Sequence, residues 1–210
     1  MKKHAAAAIC ALILLSLTAC GTRPGNIETN DQDRNNTEPL QTKQSMNTEP
    51  PSIETDTPEP GYSRMNPAPI GVEQIITDSY NGYDVSAKIN SVTRGADALT
   101  LVTQANQFNE SPGEGEEYIV VNATITALSA SSDTAFSVYS YLDFSAFSST
   151  NSQYEMPSVV DPEPELSGDI YEGGSITGNI TLKVRTDDPA PKLVYLRDFD
   201  GSGGIWFSLK

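Results

Sequence analysis

The chain has 210 residues with 28 Asp and Glu against 13 Lys and Arg, a formal net charge of −15. That balance makes nucleic acid and anionic membrane surfaces unfavourable partners. Its one histidine is His4 and its two cysteines are Cys10 and Cys20, so beyond residue 20 there is no imidazole, disulfide, thiolate metal site or CxxC pair, which excludes the common hydrolase and redox designs.

The first element is a signal segment. Lys2 and Lys3 open it, Ala5 to Leu17 form its apolar centre, and it closes on Leu17-Thr18-Ala19-Cys20-Gly21. A positive start, a short apolar run and small residues at the end are the layout of a secretory signal, and the run is too short to count as a membrane span. The closing residues resemble the lipobox of bacterial lipoproteins. The resemblance implies cleavage after Ala19, a thioether-linked diacyl group on Cys20, and a chain held by the cell membrane at its extracytoplasmic face. The competing readings are an ordinary secretory signal and an uncleaved anchor. Cleavage would leave Cys20 as the one thiol, and a lone thiol at the first residue of a secreted protein is explained by its carrying something. Two acyl chains anchor stably where one holds only marginally. Without Lys2 and Lys3 the chain has 11 basic and 28 acidic side chains, a net charge of −17.

From Thr22 to Pro69 the composition shifts to Asn, Thr, Glu, Pro, Gln and Ser, with Ile27, Leu40, Met46 and Ile53 at no regular spacing. Such a segment buries too little apolar surface to offset its ordering entropy, so residues 20–69 read as a lipidated N-terminus followed by a disordered stalk. Prolines stiffen it locally toward extended conformations. A coil of about 48 residues spans roughly 40 Å, with a stretched limit of about 160 Å, which suits a spacer across an envelope layer.

Residues 70–210 are long enough for one core and short for two. Their periodicity is two. Ile176, Gly178, Ile180, Leu182 and Val184 alternate with Thr177, Asn179, Thr181, Lys183 and Arg185, and Ile119, Val121, Ala123, Ile125 and Ala127 alternate with Asn122, Thr124 and Thr126; each pattern is a strand with one buried face. Tyr83, Val85, Ala87 and Ile89 form another set, and Val138, Ser140, Leu142, Phe144 and Ala146 a fourth. Shorter candidates are Val72–Thr77, Leu99–Thr103, Leu193–Phe199 and Ile205–Leu209. Asn81-Gly82, Arg94-Gly95, Ser111-Pro112-Gly113, Gly173-Gly174 and Asp200-Gly201 supply turns between them. No window reads as an amphipathic helix. The expectation is an all-β fold, an immunoglobulin-like antiparallel β-sandwich, with an up-and-down barrel as its rival.

Gly115-Glu116-Glu117-Tyr118 leading into Ile119-Val120-Val121, Glu172-Gly173-Gly174 leading into Ile176-Thr177-Gly178-Asn179-Ile180, and the closing strands Leu193-Val194-Tyr195-Leu196 and Ile205-Trp206-Phe207-Ser208-Leu209 occur in this order. This order resembles a bacterial lipoprotein family with an immunoglobulin-like module, domain of unknown function 4352. The resemblance implies an extracytoplasmic module for interaction rather than chemistry. The chain departs from it at Leu128-Ser129-Ala130-Ser131-Ser132-Asp133, where the family has an Asn-containing turn.

Three acidic clusters are candidates for chemistry. Asp198-Phe199-Asp200-Gly201-Ser202-Gly203 is similar to a calcium loop, but its glycine arrives two positions early for an EF-hand, and a glycine-rich hairpin turn is the plainer reading. Asp161-Pro162-Glu163-Pro164-Glu165 reads as an extended, solvated loop. Glu114, Glu116 and Glu117 read as a polar hairpin loop, since paired carboxylates act on glycosides only across a cleft. Tyr139 and Tyr141 fall opposite Leu142 and Phe144, and Trp206 falls opposite Ile205, Phe207 and Leu209; as exposed aromatics these three make the candidate interaction surface. No catalytic residue, cofactor or metal site is assigned. The expected partners are the membrane, through the lipid anchor, and an envelope or extracellular protein. The alternative functions are a cation or small-ligand accessory or sensor, and after it a hydrolase using carboxylates alone.

Overall fold

The protein is described by a computed structural model that covers residues 59–78 and 82–210. The signal segment, Cys20 and the linker as far as residue 58 lie outside the described residues. Among the described residues the elements are β1 (Glu73–Asp78), β2 (Tyr83–Arg94), α1 (Gly95–Ala105), β3 (Glu116–Ala130), β4 (Phe136–Tyr139), α2 (Ser140–Asp143), β5 (Phe144–Phe147), β6 (Ser167–Ile170), β7 (Ser175–Arg185), β8 (Lys192–Arg197) and β9 (Gly203–Ser208).

Alternation in sequence becomes two packed layers. One antiparallel sheet has the order β1-β2-β3-β7, the other the order β5-β8-β9, and β4 pairs with β6. The chain leaves the first sheet after β3, returns to it between β5 and β7 and leaves it again after β7, so that β2, β3 and β7 face β5, β8 and β9 in the order of an immunoglobulin-like sandwich. The sheets stay open, and the barrel alternative falls. Ile119, Val121 and Ile125 of β3 and Ile180 and Leu182 of β7 share one buried cluster with Phe144, Tyr195 and Phe207 of the second sheet. Phe144 and Tyr195 stack with ring centroids 4.6 Å apart. Burying each such side chain contributes about 1.5–3 kcal/mol before chain entropy is set against it.

Three expectations are corrected. The folded region begins before Ile70: the Trp206 amide donates to the Gly61 carbonyl (2.7 Å), the Ala68 amide to the Trp206 carbonyl (2.8 Å) and the Ser208 amide to the Ala68 carbonyl (2.8 Å). Residues 61–68 are thus ordered along the edge of β9 by backbone pairing, which side-chain composition does not announce. Leu99–Thr103 is helical. Ala98 and Val102 of α1, four residues apart, pack on Tyr118 and Val120, two apolar residues on the outer face of β3 that need a cover. Finally, the fourth alternating set is interrupted, because β4 stops at Tyr139 and one helical turn intervenes before β5.

The sheet edges are occupied as well. Asn179 of β7 exchanges backbone bonds with Pro164 (2.7 Å) and Leu166 (3.2 Å), and the Tyr154 amide donates to Ala146 of β5 (2.8 Å). The Tyr62 hydroxyl donates to the Ile75 carbonyl of β1 at 2.7 Å. These contacts blunt edges that would otherwise template strand addition.

Candidate functional site

The turn α2 exists because Asp143 makes a local bond that competes with the strand. Its Oδ2 accepts from the Tyr139 amide at 2.7 Å, a side-chain-to-backbone closure that favours a turn over continued pairing. The turn is then fastened to the first sheet. The buried Ser140 hydroxyl donates to Asp161 Oδ2 (3.2 Å), and Asp161 Oδ1 accepts from the Thr181 amide of β7 (2.7 Å). Burial pushes both carboxyls above the ordinary carboxylate range, against the opposing pull of the Tyr139 amide on Asp143 and of Thr181 and Ser140 on Asp161.

This fastening presents a ledge to solvent. Tyr139 is 38% exposed, Tyr141 65% and Leu142 66%, and the two tyrosine rings lie 6.2 Å apart. The expected inward position of Leu142 is corrected: the helical turn rotates it outward, beside the tyrosines in sequence rather than opposite them. Asp161 is corrected too. It turns inward to bind Ser140 and Thr181, while Glu163 and Glu165 of the same run are exposed.

Trp206 is not brought to this ledge. It lies in a separate small cluster with Phe147 and Val194 on the outer face of the second sheet and is 6% exposed. Its ring centroid is 5.0 Å from that of Phe147, and its indole N–H donates to the Gly203 carbonyl at 3.2 Å. As the one tryptophan of the chain, it should emit at blue-shifted wavelength with an acrylamide quenching constant well below that of free N-acetyltryptophanamide. A constant near the free value would contradict this placement.

The acidic clusters are engaged structurally. In the Asp198–Gly203 hairpin, Asp200 Oδ1 accepts from both the amide (2.8 Å) and the hydroxyl (2.6 Å) of Ser202, which hold its carboxyl below the usual range. Among the described residues no group of three or more His, Cys, Asp or Glu is arranged to hold a metal ion. Glu117 pairs with Arg94, and Glu116 with Lys183 at 3.3 Å and with the Gly113 amide at 3.0 Å.

One feature escaped the sequence. Asp188, 5% exposed, accepts from the Ser149 amide (3.1 Å), the Ala190 amide (3.1 Å) and the Tyr154 hydroxyl (2.7 Å). Burial raises its pKa, but these donors outweigh burial and hold it below the ordinary value; burial and the bond to Asp188 push Tyr154 up to about 12. The residues around this hub line a polar basin of about 320 Å³, rich in hydroxyls from Ser148, Ser149, Thr150 and Ser152 and closed by Arg185 and Asp187. The hydroxyl-rich run 148–152 and the run Arg185-Thr186-Asp187-Asp188 were the available signal.

No family model matches the chain, and no curated protein does. Among solved structures it is similar to MPT63, a secreted protein of Mycobacterium tuberculosis, at 13% identity and a TM-score of 0.46, over 68% of this chain and 97% of that one. It is also similar to ycdA, a candidate lipoprotein of Bacillus subtilis, at 16% identity and a TM-score of 0.43, over 59% of this chain and 35% of that one.

Proposed function

We propose that the chain is a lipid-anchored lipoprotein of the extracytoplasmic membrane face, in which the sandwich is a non-catalytic interaction module presented on a spacer. The lipobox-like Leu17–Gly21 supports the anchor. The observation that carries the interaction reading is the exposed Tyr139-Tyr141-Leu142 ledge on a fastened turn, since exposed aromatics on a rigid support lose little entropy on binding. The resemblance to domain of unknown function 4352, through Gly115–Val121 and Gly173–Ile180, agrees with a module of this kind.

Two measurements test the reading. Mass spectrometry of the native N-terminal peptide is expected to give Cys20 with a diacylglycerol thioether; an unmodified sulfur there removes the anchor. Photo-crosslinking in intact cells from benzoylphenylalanine in place of Leu142 is expected to trap one envelope protein, and no adduct above background removes the interaction module.

A second reading, a small-ligand accessory protein, is favoured by the basin beside Asp188. Its volume is at the low end of small-molecule pockets, roughly 300–1,000 Å³. A ligand held there would raise the melting temperature with its concentration, whereas millimolar calcium that produced no shift would exclude the cation version.

A further inference from the structure

From residue 95 to residue 182 the chain contains no Lys, Arg or His, while the same 88 residues carry 13 Asp and Glu. That interval supplies β4, α2, β5, β6 and the segment 148–166, which carry the aromatic ledge or its Asp161 clasp, and β7 as far as Thr181, where the clasp ends; Lys183 and Arg185 follow at the far end of that strand. Asp169 is exposed on β6 and accepts from Ser137 Oγ (2.6 Å), two residues before Tyr139 on the paired strand. Glu163 and Glu165 are exposed on the segment whose Asp161 holds Ser140. The ledge is therefore two tyrosine faces and a leucine whose carrying and paired elements, β4, α2, β5, β6 and the run 161–166, bear exposed carboxylates and no cation.

We propose that this ledge docks a Lys- or Arg-rich polypeptide segment of an envelope partner. The inference rests on the interaction-module reading above and names the partner's chemistry. Cationic side chains gain from the tyrosine faces and from the carboxylates together, and their aliphatic stems cover Leu142. The other occupants are disfavoured by the same observations. A second copy brings the same negative charge and the same cation-free ledge, and an anionic lipid surface is repelled. Strand addition is blocked where β1, β5 and β7 are covered. Complementary charge sets encounter rate and partner choice, and the aromatic contacts set how long the complex lasts.

The test uses the full mature chain and a fluorescein-labelled twelve-residue peptide of alternating Arg and Gly, with a Glu-Gly peptide as its opposite. The Arg peptide is expected to bind and the Glu peptide not, with affinity falling severalfold between about 50 and about 300 mM salt. Tyr139→Ser with Tyr141→Ser, whose side chains are exposed and leave the melting temperature in place, is expected to weaken binding about tenfold, or about threefold per ring. Asp169→Asn is expected to weaken it severalfold and Asp97→Asn on α1 to leave it unchanged. Equal affinity for the wild type and the double tyrosine variant overturns the inference, because the attraction would then be diffuse charge. If the Arg peptide fails to bind while benzoylphenylalanine at position 142 still traps an envelope protein in cells, the partner's chemistry is wrong and the interaction module stands. If both fail, both readings fall.

Discussion

Asp188→Ala is expected to lower the melting temperature by roughly 6–12 °C, a loss of about 3 kcal/mol, because it strips charge-assisted hydrogen bonds from a buried site. The carboxylate joins two loops that are far apart in sequence: Ser149 and Tyr154 after β5, and Ala190 before β8. Truncation leaves the Ser149 and Ala190 amides and the Tyr154 hydroxyl without their acceptor, which costs more than the net worth of the bonds themselves. Tyr154→Phe removes one donor only and is expected to cost about 1 kcal/mol. A circular-dichroism melt checks both. A fall under about 2 °C for Asp188→Ala would mean that water replaces the carboxylate at no penalty, and the hub would not be structural.

The same residue gives a pH signature with a definite sign. Asp188 titrates below its unfolded value, so its stabilisation is complete above that value and is lost as the pH falls through the depressed native one. Asp143 and Asp161 act oppositely. Burial raises them, so the native state takes up their protons first, and acidification through the raised values restores stability that their buried charges cost near neutrality. Wild-type stability should accordingly hold or rise slightly on mild acidification and fall only at lower pH. Asp188→Ala should flatten that final fall, and Asp161→Asn should remove part of the earlier rise. A Asp188→Ala profile parallel to the wild type at every pH would deny Asp188 its depressed pKa.

How much of this was legible depended on whether the deciding contact was local in sequence. The inner faces of β3 and β7 were readable because Ile119, Val121, Ala123, Ile125 and Ala127, and Ile176, Gly178, Ile180, Leu182 and Val184, recur at a period of two toward the layer between the sheets. Helix α1 was not. Its buried stripe is only Ala98 and Val102, and Leu99-Thr100-Leu101-Val102-Thr103 has the composition of a strand; Tyr118 and Val120, exposed on β3 unless covered, decide it from another element. The outward position of Tyr139 and Tyr141 follows from the alternation, but the Asp143 bond to the Tyr139 amide ends the strand there and sends Leu142 outward with them. Trp206 obeyed the alternation and still became buried, because Phe147 packs on the outer face of its sheet. The Asp188 hub links 149 and 154 to 188 and 190, and no spacing in the sequence encodes that juxtaposition. Gly115 was legible as a motif, and its φ of +78° explains it, since the turn into β3 needs a conformation that side chains disfavour.

Gly178 is another glycine of the resemblance, and its reason is close approach rather than torsion. A Cβ there would stand 2.4 Å from the Leu166 nitrogen and 2.5 Å from the carbonyl carbon and oxygen of Glu165. All three are backbone atoms, so no rotamer relieves the overlap, and the segment 161–166 must leave the edge of β7. Gly178→Ala is therefore expected to cost about 3 kcal/mol, the upper end of ordinary overpacking, and to lower the melting temperature by roughly 6–12 °C. Gly113→Ala is the control, because its new methyl would meet only the mobile end of Glu116 at 3.0 Å. The effect should reach the ledge. Losing the bonds of Asn179 to Pro164 and Leu166 frees the run that carries Asp161, and with it the clasp on Ser140 and Thr181. Hydrogen exchange in residues 136–147 should then accelerate in Gly178→Ala while the paired centre of β2 and β3 stays protected. Unchanged exchange in that interval, in a variant that had lost stability, would show that the turn bearing Tyr139 and Tyr141 holds its place without Asp161.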